Sequence, residues 1–161
     1  MSEKKIAAKQ EALVFDAEGC VMGRLAAFVA KQTLCGKKVI IFNAEKALVS
    51  GKPEAIREDV KDKFDAKSKA NPLRWGPHRS RSADRFVRRV VRGMLPWHKA
   101  KGKAAYKKVM VYIGKPQREI MKREHIDISK AQLADTKGFK AQFNYYTTVA
   151  DICGYLGGRS K

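Results

Sequence analysis

Two short apolar runs flank an amphipathic segment near the start of this chain, and their arrangement constrains its fold most strongly. The runs predict strands over residues 13–16 and 39–42. Between them, residues 22–34 carry apolar side chains at helical spacing, and Gly36 follows as a stop signal. A strand, a helix and a second strand form a βαβ unit, and continuously apolar strands are typical of a parallel sheet covered on both faces.

The rest of the chain supplies further elements and one segment that is not helical. Prolines and glycines exclude a helix over residues 70–82. The other predicted elements are a strand or junction at 47–49, a charged surface helix over 54–69, a helix over 83–95 with Ser82 as its N-cap, a strand over 109–113, and a last short helix capped by Thr147 or Thr148 and ended by Gly157 and Gly158.

This order of elements predicts an α/β fold: a small, mostly parallel sheet sandwiched between helices in three layers, with basic extended loops. The 161 residues fit one domain, because domains commonly hold roughly 100–200 residues. We expect a flexible N-terminal arm over residues 1–12 and a single α/β domain over 13–161. The sequence contains no run of 18 apolar residues, so no membrane span is predicted. The N-terminus lacks the apolar region of a secretory signal.

The cysteines and histidines do not form a metal-site pattern. The three cysteines are far apart, no CxxC pair occurs, and no histidine lies near a cysteine in the sequence. We therefore expect no metal, no cofactor, and mostly buried thiols in a reducing compartment. These residues are Cys20, Cys35 and Cys153, with His78, His98 and His125.

Positive charge is concentrated in the middle of the chain. The whole sequence holds 35 basic and 16 acidic side chains, a net charge of +19. Residues 71–108 hold 12 of the basic side chains and a single acidic one, Asp84. Solvated surfaces usually mix both signs, so this block predicts a contact surface for a polyanion. Nucleic acid is the leading partner, and an acidic membrane surface is the second.

The helix predicted over residues 83–95 divides into two faces. At 100° per residue, the apolar side chains fall together on one side and four arginines fall on the other. The apolar side chains are Phe86, Val87, Val90, Val91, Met94 and Leu95, and the arginines are Arg85, Arg88, Arg89 and Arg92. Planar guanidiniums suit phosphate oxygens, which would relieve the repulsion within the row. Alternatively, the carboxylates of residues 58–65 pair with one or two of these arginines.

Aromatic rings interleave with cations on both sides of this helix, in segments predicted to be extended. Rings among cations suit unpaired bases with phosphates beside them, which favours structured RNA over plain duplex DNA. Trp75 and Trp97 are equally well explained as core anchors. The candidate RNA-binding residues are Arg74, Trp75, His78, Arg79, Arg81, Arg85, Arg88, Arg89, Arg92, Trp97, His98, Lys99, Lys101, Lys103, Lys107 and Lys108.

Catalytic motifs are missing from the sequence. Neither a P-loop nor a dinucleotide-binding glycine motif is complete, and hydrolase, zinc-protease and deaminase motifs do not occur. Asp16 and Glu18 follow the first strand, where α/β enzymes place catalytic groups, but turn formation and pairing with Arg24 explain them better. Two alternatives stay open: a small α/β nucleotide-binding or RNA-modifying enzyme that uses the turn at residues 16–23, and a DNA-binding chromatin protein.

Several segments resemble, in order, the ribosomal protein L13 family of the large subunit. They are Asp16–Gly19 with Met22–Ala26, Asn43–Lys46 with Ser50–Lys52, and Val91–Pro96 with Lys101–Ala105 and the strand at 109–112. The resemblance covers about residues 13–116, and the short C-terminal end is more similar to archaeal members. It implies a structural, non-catalytic α/β protein of the cytoplasmic ribosome. Its implied partners are large-subunit rRNA and neighbouring ribosomal proteins, with no membrane and no small-molecule substrate.

Overall fold

A computed structural model of the chain describes residues 12–66, 80–124, 136–140 and 143–158. These residues contain five strands and six α-helices. The strands are β1 (Leu13–Asp16), β2 (Val39–Phe42), β3 (Leu48–Ser50), β4 (Val109–Val111) and β5 (Tyr146–Thr148). The helices are α1 (Met22–Leu34), α2 (Pro53–Asp65), α3 (Ala83–Gly93), α4 (Ala100–Lys107), α5 (Gln117–Glu124) and α6 (Val149–Tyr155). None of the helices described is long and apolar enough to span a membrane.

Strands β1, β2 and β4 form a parallel sheet with β2 at its centre. Ile40 lies opposite Val14 on one side and opposite Met110 on the other. All four residues of β2 are buried, which explains why its sequence is continuously apolar. The predicted βαβ unit and its parallel sheet are therefore confirmed.

Helices cover both faces of this sheet. Adjacent side chains of β2 point to opposite faces, so Ile40 and Ile41 belong to different clusters. Ile41 belongs to the larger cluster with Val29 of α1 and Val91 of α3. On the other face, Ile40 clusters with Ile120 of α5, which is fully buried. The three-layer α/β arrangement predicted from the sequence is thus confirmed.

A second, two-stranded sheet joins distant parts of the chain. Strand β3 pairs antiparallel with β5, and Val49 lies opposite Thr147. Residues 47–49, for which the sequence predicts a strand or a junction, belong mainly to β3. Helix α6 follows β5 directly, and its Val149 and Cys153 are buried in the larger core cluster. The C-terminal part of the chain therefore completes the same core as β1 and β2.

Several element boundaries differ from the prediction. Helix α2 ends at Asp65, and residues 67–69 of the predicted helix lie outside the described residues. Helix α3 ends at Gly93 rather than at 95, and the strand predicted to reach 113 ends at Val111. Met94, predicted on the inner face of α3, is 41% exposed because it lies in the turn after the helix, where the periodicity no longer applies.

The extended conformation predicted after Pro96 is wrong over α4. Alanine and lysine are good helix formers, and they fill most of this segment. Gly102, which lowered the helical signal, is required by packing. A Cβ at this position would lie 2.1 Å from the carbonyl oxygen of Pro96. The glycine lets α4 rest against the turn that precedes it.

The predicted N-caps form two different arrangements. Ser82 is the N-cap residue of α3, but its hydroxyl donates to the Asp84 carboxylate instead of accepting from the helix backbone. Thr148 caps α6 with a reciprocal pair of hydrogen bonds. Its hydroxyl accepts from the Asp151 amide at 3.1 Å, and the Asp151 carboxylate accepts from the Thr148 amide at 3.3 Å.

Thr148→Ala is expected to lower the free energy of unfolding by about 1 kcal/mol, because this N-cap satisfies an amide that the helix cannot pair. Denaturant unfolding monitored by circular dichroism measures the change. Thr148→Ser keeps the hydroxyl and serves as the matched control. Equal stability of the Ala and Ser variants would contradict a capping role.

Candidate nucleic-acid interface

Helix α3 turns four arginines away from the core. On its inner side, Val87 and Val91 are at most 1% exposed. On the other side, two arginines are exposed and two are half-buried, as the helical spacing predicts. We call these four the arginine face: Arg85, Arg88, Arg89 and Arg92.

Carboxylates do not neutralise most of the arginine face. In the described parts of the chain, Arg85, Arg88 and Arg92 form no ion pair with a carboxylate. Helix α2 carries the nearest run of acidic residues in the sequence, but its Asp59 pairs with Lys63 one turn further along the same helix. Pairing with α2 carboxylates is therefore not found for these three arginines, and their charge remains available to an anion.

A groove of about 760 Å³ lies between α2 and α3. Its volume falls within the usual range of ligand sites. The whole arginine face lines one side, together with Phe86. From α2 the lining residues are Ile56, Asp59, Val60, Lys63 and Phe64. A lining that combines four arginines with apolar side chains favours an anionic occupant that also has apolar or aromatic parts.

Two members of the arginine face lie over aromatic rings. The guanidinium carbon of Arg88 is 4.6 Å from the centre of the Tyr106 ring, and that of Arg92 is 4.0 Å from Trp97. The two rings meet edge to face, with centroids 5.3 Å apart. The Nε atom of Arg88 is buried without a hydrogen-bond partner in the described structure. Ring contacts thus hold these two cations while leaving their charge intact.

The segment after α3 adds further exposed cations. A shallower groove of about 390 Å³ is lined by Arg89, Arg92, Trp97 and His98, among others. Trp97 is half-buried. Its exposure lies between that expected for a core anchor and that expected for a stacking platform. The exposed lysines of this segment are Lys99, Lys101, Lys103 and Lys107, and the polar ring of His98 is also exposed. Arg81, before α3, is also exposed.

The ammonium of Lys108, another predicted RNA-binding residue, binds a backbone carbonyl within the protein. Its ammonium donates to the carbonyl oxygen of Gly36 at 2.8 Å, in the turn after α1. This contact satisfies a carbonyl near a helix C-terminus, where positive charge is favourable. The side chain is half-buried, whereas that of the adjacent Lys107 is exposed.

Lys108→Ala is expected to lower the free energy of unfolding by about 1.5 kcal/mol, the lower end for a charge-assisted hydrogen bond, because the side chain is only half-buried. Lys107→Ala, the matched control, is expected to leave stability unchanged and to weaken RNA binding instead. Chemical denaturation and a filter-binding assay measure the two effects. If both variants lose the same stability, the contact with Gly36 contributes nothing specific.

The turn after β1 is satisfied internally. Asp16 Oδ1 accepts from the Glu18 amide at 3.0 Å and from Asn43 Nδ2 at 2.9 Å. Glu18 pairs with Lys46 at 2.9 Å, so the predicted pairing with Arg24 is wrong. The amide of Val21, at the start of α1, donates to the Phe139 carbonyl. Asp16 and Glu18 therefore stabilise the turn, which is the role preferred over catalysis in the sequence analysis.

Metal-ligand clusters are not found in the described residues. Cys20 and Cys153 are buried as predicted, but Cys35 is exposed. Burial raises the pKa of the Cys153 thiol to about 11, and it also raises the pKa of Cys20. Both buried thiols are therefore protonated at neutral pH and act as small apolar side chains.

Comparison with known proteins identifies the family. Residues 10–118 match the family model described as ribosomal protein L13, which is more than half of the chain. The chain belongs to the ribosomal protein L13 family. The resemblance recognised in the sequence is confirmed, and the matched residues contain the whole arginine face and α4.

Archaeal relatives named large ribosomal subunit protein uL13 align over most of the chain. The Archaeoglobus fulgidus protein is 37% identical over 146 residues, covering 91% of this chain and 88% of the relative. The Methanosphaera stadtmanae protein is 42% identical over 119 residues, covering 74% and 83%. The Sulfolobus acidocaldarius protein is 36% identical over 153 residues, covering 95% and 98%. Similarity to these L13 proteins therefore extends beyond the residues matched by the family model.

The structure of this L13 family member places twelve of the sixteen predicted RNA-binding residues. The other four, Arg74, Trp75, His78 and Arg79, lie outside the described residues. Tyr106 was missed by the sequence analysis, although it contacts both Arg88 and Trp97. No local signal in the sequence identifies Tyr106, because its ring meets Arg88 across two helices.

Proposed function

We propose that this chain is a structural constituent of the large ribosomal subunit that binds rRNA and has no catalytic role. Its partners are large-subunit rRNA and neighbouring ribosomal proteins, in the cytoplasmic ribosome. One observation carries the proposal: the arginine face is fixed to a buried core by α3, yet Arg85, Arg88 and Arg92 have no carboxylate partner in the described residues. Membership of the L13 family, whose archaeal relatives are named as large-subunit proteins, supports it.

The physical basis is the cost of holding like charges together without a counter-ion. Arginines three and four positions apart on a helix repel one another. An RNA backbone offers a phosphate for each guanidinium, and binding releases the cations condensed on the RNA. The planar fork of arginine can hold two phosphate oxygens at once, which also fixes orientation.

The proposed contact surface consists of the arginine face, Arg81 and the cations that follow α3. Those cations are Lys99, Lys101, Lys103 and Lys107, which are all exposed, and the exposed His98 lies beside them in the sequence. Trp97 adds an aromatic ring among them. Arg74, Trp75, His78 and Arg79 are proposed to contribute on sequence grounds alone. Lys108 is proposed as a weaker contributor, because its ammonium already binds Gly36.

The alternative functions receive no specific support from the described geometry. An enzyme that uses the turn at residues 16–23 needs polar groups ready for substrate, whereas Asp16, Glu18 and Val21 already bind within the protein. A DNA-binding role would use the same charges, so competition between nucleic acids separates it from rRNA binding.

The test measures affinity of the purified chain for large-subunit rRNA and for duplex DNA of equal length, over a series of salt concentrations. We expect the rRNA to bind more tightly, with a steep salt dependence that corresponds to about six to ten neutralised phosphates. Equal affinity for duplex DNA would favour the chromatin alternative. An rRNA affinity that does not change with salt concentration would contradict an electrostatic interface.

Sucrose-gradient fractionation tests the same proposal in a cell extract. We expect the protein to migrate with the large ribosomal subunit and to remain there after washing with moderate salt. Migration with free protein before any salt wash would contradict a ribosomal role.

A further inference from the structure

Four side chains from three parts of the structure form a continuous chain of contacts: Arg88, Tyr106, Trp97 and Arg92. We call it the cation–aromatic ladder. The two arginines are one helical turn apart on α3, Trp97 lies in the following turn, and Tyr106 is near the end of α4. The guanidinium carbons lie 4.6 Å and 4.0 Å from the two ring centres, and the rings contact each other at 5.3 Å.

The ladder orders its arginines without neutralising them. A carboxylate partner would occupy N–H donors and cancel positive charge, which would reduce the attraction of RNA. A ring instead contacts the cation through its π face and leaves N–H donors at the guanidinium edge available. Arg88 and Arg92 both have ring partners and no carboxylate partner among the described residues.

The turn after α3 and helix α4, which carry the two rings of the ladder, are held together by close backbone packing. The amide of Lys99 donates to the Pro96 carbonyl at 3.0 Å, and that of Gly102 donates to the Lys99 carbonyl at 3.1 Å. Gly102 brings α4 against Pro96, the residue immediately before Trp97. These contacts fix the distance between Trp97 in the turn and Tyr106 on α4.

We infer that Tyr106 and Trp97 are positioning residues that hold Arg88 and Arg92 ready to bind RNA phosphates. This inference rests on the proposed function, and it adds a role for Tyr106 and a different role for Trp97. Pre-ordered arginines lose less side-chain freedom on binding, so the same phosphate contacts give higher affinity. The Trp97 ring acts through Arg92, which lies over it, rather than as a platform for a base.

The first experiment measures arginine mobility in the RNA-free protein by ¹⁵N relaxation of the side-chain Nε–H groups. We expect Arg88 and Arg92 to have order parameters close to about 0.85, the value of rigid backbone, and exposed Arg85 to fall below about 0.6. Mobility of Arg88 and Arg92 equal to that of Arg85 would overturn the inference, whatever the outcome of RNA binding.

The second experiment is a double-mutant cycle on affinity for large-subunit rRNA. We expect Tyr106→Leu to weaken binding about three- to tenfold, and Tyr106→Phe, which keeps the ring, to change it less than about twofold. In an Arg88→Ala background, Tyr106→Leu should cause a smaller loss than in the natural sequence, because only its support of Arg92 through Trp97 remains to be removed. Trp97→Leu should behave in the same way with Arg92→Ala. Thermal unfolding of each variant verifies that it is folded under the binding conditions.

A matched pair elsewhere serves as the control. Arg57 lies 5.8 Å from the centre of the Tyr155 ring, outside the ladder. Tyr155→Leu is expected to leave RNA affinity unchanged. If Tyr106→Leu and Arg88→Ala weaken binding additively, Tyr106 contacts RNA itself and the inference fails while the proposed function stands. If Arg88→Ala and Arg92→Ala both leave affinity unchanged, the inference and the proposed RNA-binding face fail together.

Discussion

Replacing Arg88 and Arg92 together by glutamate is expected to weaken binding to large-subunit rRNA by about a hundredfold or more. Each charge-assisted hydrogen bond is worth about 1.5–3 kcal/mol, and every 1.4 kcal/mol corresponds to a tenfold change in affinity. Losing two such contacts gives at least about 3 kcal/mol, before the repulsion between glutamate and phosphate is added. Filter binding at fixed salt measures the change.

The fold is expected to tolerate this double substitution. Both side chains are half-buried on the outer side of α3, and neither has a carboxylate partner in the described structure. The lost ring contacts cost roughly 0.5–1 kcal/mol each, and the removal of repulsion within the arginine face offsets part of that cost. The midpoint of thermal unfolding should therefore change little.

Arg24→Glu with Arg57→Glu provides the matched control, because it changes the net charge equally at two exposed positions outside the arginine face. This control should lose only a small part of the affinity through long-range repulsion. Equal losses in the two double variants would show that total charge, rather than the arginine face, governs binding. Unchanged affinity of the Arg88 and Arg92 variant would show that the RNA binds elsewhere.

Gly102→Ala is expected to lower the free energy of unfolding by about 1–3 kcal/mol, the usual cost of overpacking. The added Cβ would lie 2.1 Å from the Pro96 carbonyl oxygen and 2.5 Å from the Pro96 carbonyl carbon, so backbone must move. That movement separates Trp97 from Tyr106, and a loss of RNA affinity should accompany the loss of stability.

Gly154→Ala is the control for this substitution. Gly154 also lies in a helix, but a Cβ there meets nothing within 4 Å. Because glycine is a poorer helix former than alanine, this variant should be as stable as the natural sequence or up to about 1 kcal/mol more stable. Denaturant unfolding measures the free energy of unfolding of both variants. Similar stability of Gly102→Ala and Gly154→Ala would contradict the close approach of α4 to Pro96.

The central sheet was predictable because its sequence signals are local. Strands β1 and β2 are continuous apolar runs, and α1 has clear helical spacing. The pairing of β3 with β5 was not predictable, because each strand has only three residues and the partners are far apart along the chain. Helix α4 was missed because Gly102 lowers helix propensity where packing requires it.

The arginine face was predictable for the same reason as α1. Its four members repeat with the period of a helix, and the valines between them identify the buried side. The cation–aromatic ladder was not predictable from the sequence, because Tyr106 meets Arg88 across two helices and no spacing in the sequence encodes that contact. The bond from Lys108 to Gly36 likewise joins residues 72 positions apart. Composition alone therefore does not distinguish a lysine that binds within the protein, such as Lys108, from an exposed one, such as Lys107.

The pairing of β3 with β5 has a consequence for how the protein is made. Because roughly a hundred residues separate these strands, β5 leaves the synthesising ribosome about 5–20 s after β3 at usual elongation rates. During that interval the nascent chain lacks Val149 and Cys153 of α6, which belong to the same core cluster as Phe15 and Val91. The strongly cationic middle segment is therefore already outside, and able to attract polyanions, before the polypeptide has closed its interior.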